Sequence, residues 1–319
     1  MGVNMKIVIV GGGAIGRLFG SFLLRGSNEL TMIDNDLETL GALQARGIGL
    51  ILNNSDAMSA SQDFPVKALE SASSLTSAEL VLLLVKSQST LSAVKDVAHL
   101  IGDDCPLLSI QTGLGNLETA SKVVDPSNIL LGITFMSATA LSDAKVRQGG
   151  LAKTYIGELS GLISPRLEAI GSVFNRSGME TQLVRRIMGR LWCKVITYSA
   201  LNPVSAILQV PNGSLTTNME SVTLMKRLLD EGRAVADLCS IELVYPDLYQ
   251  LLFNVCENSA NNLSSMLQDV LNEVPTEIEA QNGALCYHAH EHGLPVPTQQ
   301  TMVEMIKLLE RWRPRMEQP

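Results

Sequence analysis

Three glycines with the spacing G-x-G-x-x-G, Gly11, Gly13 and Gly16, follow a run of β-forming residues and open a helical pattern. In this context the first glycine allows a tight turn, the second lets a pyrophosphate approach the backbone, and the third lets the helix pack closely on the sheet. Ala14 and Ile15 complete the helix start, where the positive end of the helix dipole favours an anion. The stretch therefore predicts a dinucleotide-binding loop; the alternative is a merely structural tight turn.

An acidic side chain ends the second strand-like run, where Asp34 lies 18 residues after Gly16. An acid at this place accepts a hydrogen bond from the ribose 2′-hydroxyl of NAD and repels the 2′-phosphate of NADP. The alternative is that Asp34 or Asp36 only caps the following helix, as aspartate often does.

Composition and charge restrict the class of protein. Of 319 residues, 46% are hydrophobic and 18% are charged, which is typical of a folded globular chain. The net charge of -8 argues against a nucleic-acid partner. The apolar runs are far shorter than the ~20 residues that cross a bilayer, and we expect neither a membrane span nor a secretory signal. Five cysteines without a C-x-x-C pair predict free thiols in a reducing compartment, the cytoplasm.

The pattern of elements divides the chain in two. Up to about residue 157, short β-rich runs alternate with helical ones, which predicts a parallel sheet with crossover helices. The predicted strands are 6–10, 30–33, 80–85, 107–110 and 129–135. Around Gly149 and Gly150 we expect a hairpin that extends the sheet in the antiparallel direction. Helical periodicity then dominates, so we expect an α/β fold with a Rossmann-type domain over 1–184 and an all-α domain over 185–319.

A helix signal lies near the end of the chain. Thr276 and Glu279 have capping-box spacing, which predicts a helix with Glu277 in its first turn and an end at Gly293. Three histidines lie close to that end: His288, His290 and His292. Since no carboxylate or cysteine stands at an evident ligand spacing, we expect a polar helix end and no metal site.

Five phrases of the sequence resemble the ketopantoate reductase (2-dehydropantoate 2-reductase) family over nearly the full chain. They are IVGGGAIG, LLLVKS, SIQTGLGN, GRLWCKVITYSALNPVSAI and NLSSMLQDVLNEVPTEIEAQNGALCYHAHEHGLPVPT. The last two are specific in their arrangement of lysine, Asn-Pro, Ser-Ser-Met-Leu-Gln-Asp and Thr-Glu-Ile. The resemblance implies a dinucleotide-binding domain, a helical C-terminal domain and reduction of ketopantoate to pantoate.

Reduction of a ketone needs a hydride at carbon and a proton at the developing alkoxide. Lys194 matches the family's catalytic lysine and lies on a mainly apolar helix, where partial burial would lower its pKa. The alternative is a surface lysine that snorkels from an amphipathic helix. Glu277 matches a family glutamate that could accept from a hydroxyl, and is otherwise a favourable acid near a helix start.

The resemblance implies three further site residues. Asn202 matches an asparagine that orients substrate, and its place before Pro203 also suits capping of a following helix. Ser265 matches a substrate-binding serine, although alone it would be a helix-surface residue. Lys86 matches a lysine beside the cofactor, and the alternative is a solvated lysine at the end of a strand.

The sequence departs from the family pattern at three places. Thr112 and Tyr198 stand where the family usually has asparagines in the substrate pocket, which leaves the identity of the keto acid open. Asp34 and Asn35 stand where family members commonly carry an arginine and use NADPH. We therefore expect NADH, with NADPH as the family default.

The sequence as a whole predicts an NAD(P)H-dependent reductase of a 2-oxo acid, with 2-dehydropantoate as the expected substrate. Two alternatives stay open: a reductase of a different branched 2-oxo acid, and a non-catalytic dinucleotide-sensing protein. The expected partners are the small 2-oxo acid and a second copy of the chain in a homodimer, without nucleic acid or membrane.

Overall fold

The computed structural model describes residues 4–52, 61–150 and 152–312. The chain forms two compact units, of which the first comprises Met1–Gln111 and Asn116–Ile187. The second comprises Thr112–Gly115 and Met188–Pro319, so a short loop from the N-terminal half belongs to the C-terminal unit.

The first unit is built of strands and helices. Its strands are β1 Lys6–Val10, β2 Glu29–Ile33, β3 Ile48–Ile51, β4 Gln62–Phe64, β5 Lys67–Leu69, β6 Leu80–Leu83, β7 Leu107–Ser109, β8 Ile129–Thr134, β9 Ala138–Ala140, β10 Lys145–Gln148, β11 Thr154–Glu158 and β12 Thr181–Leu183. Its helices are α1 Ala14–Arg25, α2 Leu37–Arg46, α3 Thr90–Val97, α4 Asn116–Ala120 and α5 Pro165–Arg176.

The described part of the second unit is helical, as the sequence predicts. Its helices are α6 Ile187–Leu208, α7 Met219–Leu238, α8 Leu248–Asn258, α9 Ser265–Leu271, α10 Ala284–Glu291 and α11 Pro297–Arg311. A π-helical turn, Glu279–Gly283, precedes α10. Among the described residues, no helix is both long and apolar enough to cross a membrane.

The main sheet has the strand order β12-β11-β8-β7-β6-β1-β2-β5. The six neighbouring strands β8, β7, β6, β1, β2 and β5 are parallel to one another. β11 pairs with β8 in the antiparallel direction. All five predicted strands form, each within two residues of its predicted bounds. The predicted parallel sheet is therefore confirmed, and because β2, β1 and β6 are parallel neighbours, their carboxyl ends lie along one edge.

The main sheet buries both of its faces. Ile7 and Ile9 of β1 belong to one apolar cluster together with side chains of α1 and α5. Val8 and Val10 belong to a second cluster that includes side chains of α3. Because successive strand residues point to opposite faces, the uninterrupted apolar run of β1 requires this cover on both sides.

The predicted hairpin around Gly149 and Gly150 is wrong. β10 lies in a second sheet of order β4-β3-β10-β9, whereas β11 lies in the main sheet. The Gly149 N–H donates to the Ser137 carbonyl at 2.7 Å, which continues the pairing of β10 with β9. The two glycines therefore separate strands of different sheets, although the predicted antiparallel extension of the main sheet is confirmed by β11.

The helix predicted after Thr276 forms, but its start differs from the prediction. Glu277 precedes the π-helical turn and so lies outside the first turn. The Thr276 hydroxyl accepts from the Ile278 N–H at 3.3 Å, in place of the three-residue spacing of a capping box. The predicted end is confirmed, because α10 stops just before Gly293, which has a φ of 66°.

Candidate active site

The glycine loop has the geometry that its spacing predicts. Gly11 has a φ of 111°, and a Cβ there would lie 2.8 Å from the Leu84 carbonyl carbon. A Cβ on Gly16 would collide with the Gly11 carbonyl oxygen. By contrast, a Cβ on Gly13, which precedes α1, would meet no described atom within 4 Å. The loop is thus crowded where the chain must turn and open where a pyrophosphate must approach, so these residues fit a dinucleotide.

Asp34 holds this loop from the end of β2. Its Oδ2 accepts from the Gly12 N–H at 2.6 Å, and its Oδ1 accepts from the Asp36 N–H at 2.8 Å. Asp36 is the residue that caps α2, accepting from the Thr39 N–H at 2.8 Å. Of the two aspartates, the capping role therefore belongs to Asp36, and Asp34 lies directly against the glycine loop.

A buried guanidinium, which the sequence analysis does not predict, also binds this loop. Arg17 is 6% exposed, and its Nε donates to the Gly12 carbonyl at 2.7 Å. Its Nη1 donates to the carbonyls of Leu141 and Lys145 at 2.9 and 3.1 Å, and its Nη2 donates to the Thr39 hydroxyl at 3.2 Å. The sequence feature that could have predicted this role is a single arginine within the otherwise apolar first turns of α1.

Lys86 follows β6 at the same edge of the main sheet. β1 and β6 are parallel neighbours with Val10 and Leu83 in register, so the residues after them lie side by side. Gly11, Asp34 and the half-buried Lys86 therefore follow three adjacent strands. This is the edge at which open α/β sheets bind ligands.

In the second unit, Lys194 lies in the middle of α6 and is 5% exposed. Burial lowers the pKa of its ammonium to about 8, against the opposing effect of the Glu277 carboxylate. Its Nζ lies 5.3 Å from the centroid of the Tyr198 ring, one helical turn further on. Burial raises the pKa of Tyr198 to about 12, so its hydroxyl stays protonated at neutral pH.

The predicted cap at Asn202 is wrong, because α6 runs through Asn202 and Pro203 without a break. A proline has no N–H, so it cannot donate to the carbonyl four residues earlier, which belongs to Ser199. The Nδ2 of Asn282 donates to that carbonyl instead, at 2.9 Å. A side chain from the π-helical turn thus supplies the bond that the proline removes, and α6 continues.

Buried amides extend from this bond through the second unit. The Nδ2 of Asn282 also donates to Gln299 Oε1 at 2.8 Å, and Gln299 Nε2 donates to the Leu228 carbonyl at 2.9 Å. The Nδ2 of Asn202 donates to Gln281 Oε1 at 2.8 Å. These bonds join α6, α7, α11 and the π-helical turn. The sequence contained one signal for them, a proline inside an apolar helix.

An apolar cluster lies beside two more of the predicted site residues. It contains Ala206, Met266, Leu267, Ile278 and Ile306. Ser265 and Glu277 directly precede members of this cluster, so α6, α9 and the segment before the π-helical turn share one core. Ser264 caps α9, while Ser265 is exposed at its first position, as expected for a helix-surface serine.

The loop Thr112–Gly115 packs on the π-helical turn. The Leu114 N–H donates to the Ala280 carbonyl at 2.8 Å, and a Cβ on Gly113 would lie 2.7 Å from the Ala280 Cβ. Gly113 has a φ of 131°, a conformation that side chains rarely adopt. The half-buried Thr112 therefore lies beside the segment that carries Glu277.

Two family models match the chain. The model described as ketopantoate reductase PanE/ApbA covers residues 7–161, and the model of the C-terminal region of the same family covers residues 186–310. The chain belongs to the ketopantoate reductase family. The resemblance stated from the sequence is thereby confirmed. As a member of this family, the protein is an NAD(P)H-dependent oxidoreductase that reduces a 2-oxo acid to a 2-hydroxy acid, and the alternative of a non-catalytic sensing protein is not supported.

Named relatives and solved structures agree with the ketopantoate reductase assignment. A 2-dehydropantoate 2-reductase from Pyrococcus abyssi is 29% identical over 95% of this chain and 97% of that protein. A 2-dehydropantoate 2-reductase from Halobacterium salinarum is 28% identical over 96% of this chain and 99% of that protein. A ketopantoate reductase structure from Ralstonia eutropha has a TM-score of 0.84 at 26% identity, covering 96% of this chain and 99% of that one. The fold is shared with a structure of D-mandelate dehydrogenase with NADH and anilino(oxo)acetate, which has a TM-score of 0.88 at 23% identity. The match covers 96% of this chain and 98% of that one.

Proposed function

We propose that this protein reduces 2-dehydropantoate to pantoate with NADH and that Lys194 donates the proton. One observation carries the proposal: Lys194 is 5% exposed, and burial lowers its pKa to about 8. A general acid works best when its pKa lies near the working pH. The choice of keto acid is supported by relatives named 2-dehydropantoate 2-reductase that match over nearly their full length.

When bound, the dinucleotide supplies a hydride to C2 of the keto acid. Lys194 donates a proton from Nζ to the ketone oxygen, and before transfer its positive charge stabilises the negative charge that develops there. Burial strengthens this effect, because few waters screen the charge. Glu277, whose carboxylate favours the charged form of Lys194, helps to keep the acid protonated and accepts from the product hydroxyl.

Four further residues are proposed to bind the keto acid. Ser265 offers a hydroxyl to the substrate carboxylate from the start of α9, where the helix dipole also favours an anion. Asn202 and Tyr198 lie on the same helix as Lys194 and orient the substrate beside it. Thr112 borders the pocket from the loop that packs on the π-helical turn.

The cofactor is proposed to bind to the first unit. The amides of the α1 start, in the segment Gly11–Gly16 that includes Ala14 and Ile15, hold the pyrophosphate, and Lys86 contributes a positive charge at the same sheet edge. Asp34 accepts from the ribose hydroxyl and disfavours a 2′-phosphate. The preference for NADH rests on this carboxylate.

Replacing Asp34 with asparagine tests that preference. Asparagine keeps an oxygen that can accept from Gly12 but removes the charge, so kcat/KM with NADPH should rise relative to NADH by about tenfold to a hundredfold. Asp36→Asn is the matched control, since it removes one charge nearby from a residue that caps α2, and its effect should be much smaller. An unchanged ratio for Asp34→Asn would contradict the assigned role.

The pKa of Lys194 predicts a pH dependence of the reaction. In reduction the lysine must carry its proton, so kcat should fall as the pH rises through about 8. In oxidation of the hydroxy acid the neutral amine must accept a proton, so kcat should rise over the same range. Initial rates in both directions between pH 6 and 10 measure this, and two parallel profiles would contradict it.

A substrate panel tests the function itself. The purified protein should turn over 2-dehydropantoate with a higher kcat/KM than other branched 2-oxo acids, and NADH should serve better than NADPH. A clear preference for another acid would favour the alternative that Thr112 and Tyr198 suggest. No turnover with any keto acid and either cofactor would refute the proposal.

Location and assembly are also proposals. The five cysteines, all within the described residues, are free thiols, which favours the reducing cytoplasm. A homodimer stays a prediction, and light scattering on the purified protein would measure it.

A further inference from the structure

The amide of Asn202 is held by one bond and left open at its other end. Asn202 and Gln281 are 0% and 1% exposed, and Asn202 Nδ2 donates to Gln281 Oε1 at 2.8 Å. The Oδ1 of Asn202 accepts no hydrogen bond from any residue that the structure describes. A buried polar atom without a partner destabilises the fold, so such an atom among the proposed substrate residues calls for an explanation.

The chemistry of the substrate explains the unpartnered amide oxygen of Asn202. An amide oxygen can only accept, whereas the carboxylate and the ketone of a 2-oxo acid offer only acceptors themselves. The donor that 2-dehydropantoate brings is the hydroxyl on its C4. Asn202 lies two turns along α6 from Lys194, roughly 12 Å along the axis, with Tyr198 between them. The ketone and the C4 hydroxyl of this acid lie on carbons only two bonds apart, so one molecule meets both groups only if the Lys194 side chain reaches towards Tyr198. Its Nζ does lie 5.3 Å from the centroid of the Tyr198 ring.

We infer that Gln281 is a positioning residue that fixes the amide of Asn202 so that Oδ1 receives the hydroxyl of the keto acid. The inference rests on the proposed function and adds a residue to it. Without the bond to Gln281, the Asn202 amide could turn over and present Nδ2 in place of Oδ1. A hydroxyl can also accept, but an Nδ2 donor binds the carboxylate of any keto acid at least as well, so the enzyme would lose its preference for a hydroxylated acid.

The π-helical turn explains why Gln281 holds its place. Gln281 and its neighbour Asn282 are both buried, and both point their amides at α6. Asn282 bonds to Ser199 and Gln281 bonds to Asn202, so two successive side chains brace positions three residues apart on one helix. The partner of Asn202 is therefore fixed by the same turn that replaces the hydrogen bond missing at Pro203.

Steady-state kinetics of two Gln281 variants test this role. Gln281→Leu removes the acceptor, and KM for 2-dehydropantoate should rise about tenfold while KM for NADH stays within about twofold. With 3,3-dimethyl-2-oxobutanoate, which lacks the hydroxyl, KM should change by less than about twofold. Gln281→Glu retains an oxygen that accepts from Asn202 Nδ2, and its added charge acts on both keto acids alike. The ratio of KM for 2-dehydropantoate to KM for 3,3-dimethyl-2-oxobutanoate should therefore stay close to that of the wild type.

The chain offers a matched control. Gln250 donates through Nε2 to Asn254 Oδ1 at 2.8 Å on the exposed surface of α8, a bond of the same type and length. Gln250→Leu should leave every KM unchanged. If Gln281→Leu unfolds, Gln281→Glu still decides, because a rise of that KM ratio comparable to the rise in Asn202→Ala would overturn the inference.

A double-variant cycle separates positioning from a general effect on the fold. In an Asn202→Ala background, Gln281→Leu should add less than about twofold to KM, because its effect passes through Asn202. Additive effects, or equal effects on the two keto acids, would overturn the inference and leave the proposed function intact. A wild-type enzyme that does not reduce 2-dehydropantoate would refute the proposed function itself, and the inference with it.

Discussion

Replacing Lys194 with methionine is expected to lower kcat for keto acid reduction by two to four orders of magnitude, the usual contribution of a general acid. Methionine has a similar length and keeps the apolar contacts of a side chain that is 5% exposed. KM for NADH should change little, because the proposed cofactor residues lie in the first unit. Stability should not fall either, because burial already disfavours the charged form of this lysine. Initial rates and thermal unfolding measure the two effects separately.

Lys226 provides a matched control for that experiment. Its Nζ lies 5.3 Å from the centroid of the Tyr249 ring, the same distance that separates Lys194 from Tyr198, but Lys226 is exposed on α7. Lys226→Met should therefore keep wild-type turnover. If Lys194→Met also retained more than about a tenth of the wild-type kcat, Lys194 could not be the proton donor.

Replacing Asn282 with alanine is expected to lower the free energy of unfolding by about 2–4 kcal/mol. The variant removes one amide group that donates to two buried acceptors, the Ser199 carbonyl and Gln299 Oε1. Neither acceptor reaches water easily, since Ser199 and Gln299 are both 0% exposed. Urea unfolding of the protein without cofactor measures the loss.

A second substitution tests the reason for that loss. Pro203→Ala restores a backbone N–H that can donate to the Ser199 carbonyl within α6, as in any uninterrupted helix. In the Pro203→Ala background, Asn282→Ala should therefore lower stability by about 1 kcal/mol less than in the wild type. The same loss in both backgrounds would show that Asn282 does not replace the missing helical bond.

Local patterns in the sequence predict much of this fold. Glycine spacing and the apolar run of β1 are sufficient for the dinucleotide loop, because turn and strand depend on neighbouring residues. The end of α10 at Gly293 follows from its residue type in the same way. Lys194 is predicted only through the resemblance, since a lysine on an apolar helix is ambiguous until its burial is known.

The predictions that were wrong depend on contacts between residues distant in the sequence. Gly149 and Gly150 read as a hairpin turn, yet which sheet receives β10 and β11 depends on strands distant in sequence. The Asn-Pro pair at Asn202 predicts a helix cap, but α6 continues through Pro203. The donor that makes this possible is Asn282, which bonds to the Ser199 carbonyl from 83 residues further along the chain. A proline in an apolar helix indicates that some donor is needed, but the sequence does not say which one. Gln281 was missed for the same reason.

Arg17 gives the short turn between β9 and β10 an unusual restriction on its length. Surface turns commonly vary in length among related proteins, because little depends on them. Here the carbonyls of Leu141 and Lys145, at the two ends of the turn, bind the same guanidinium that holds the Gly12 carbonyl. An inserted or deleted residue in this turn would displace the arginine and with it the glycine loop. An altered turn more than a hundred residues after the glycine loop would therefore change the affinity for the dinucleotide.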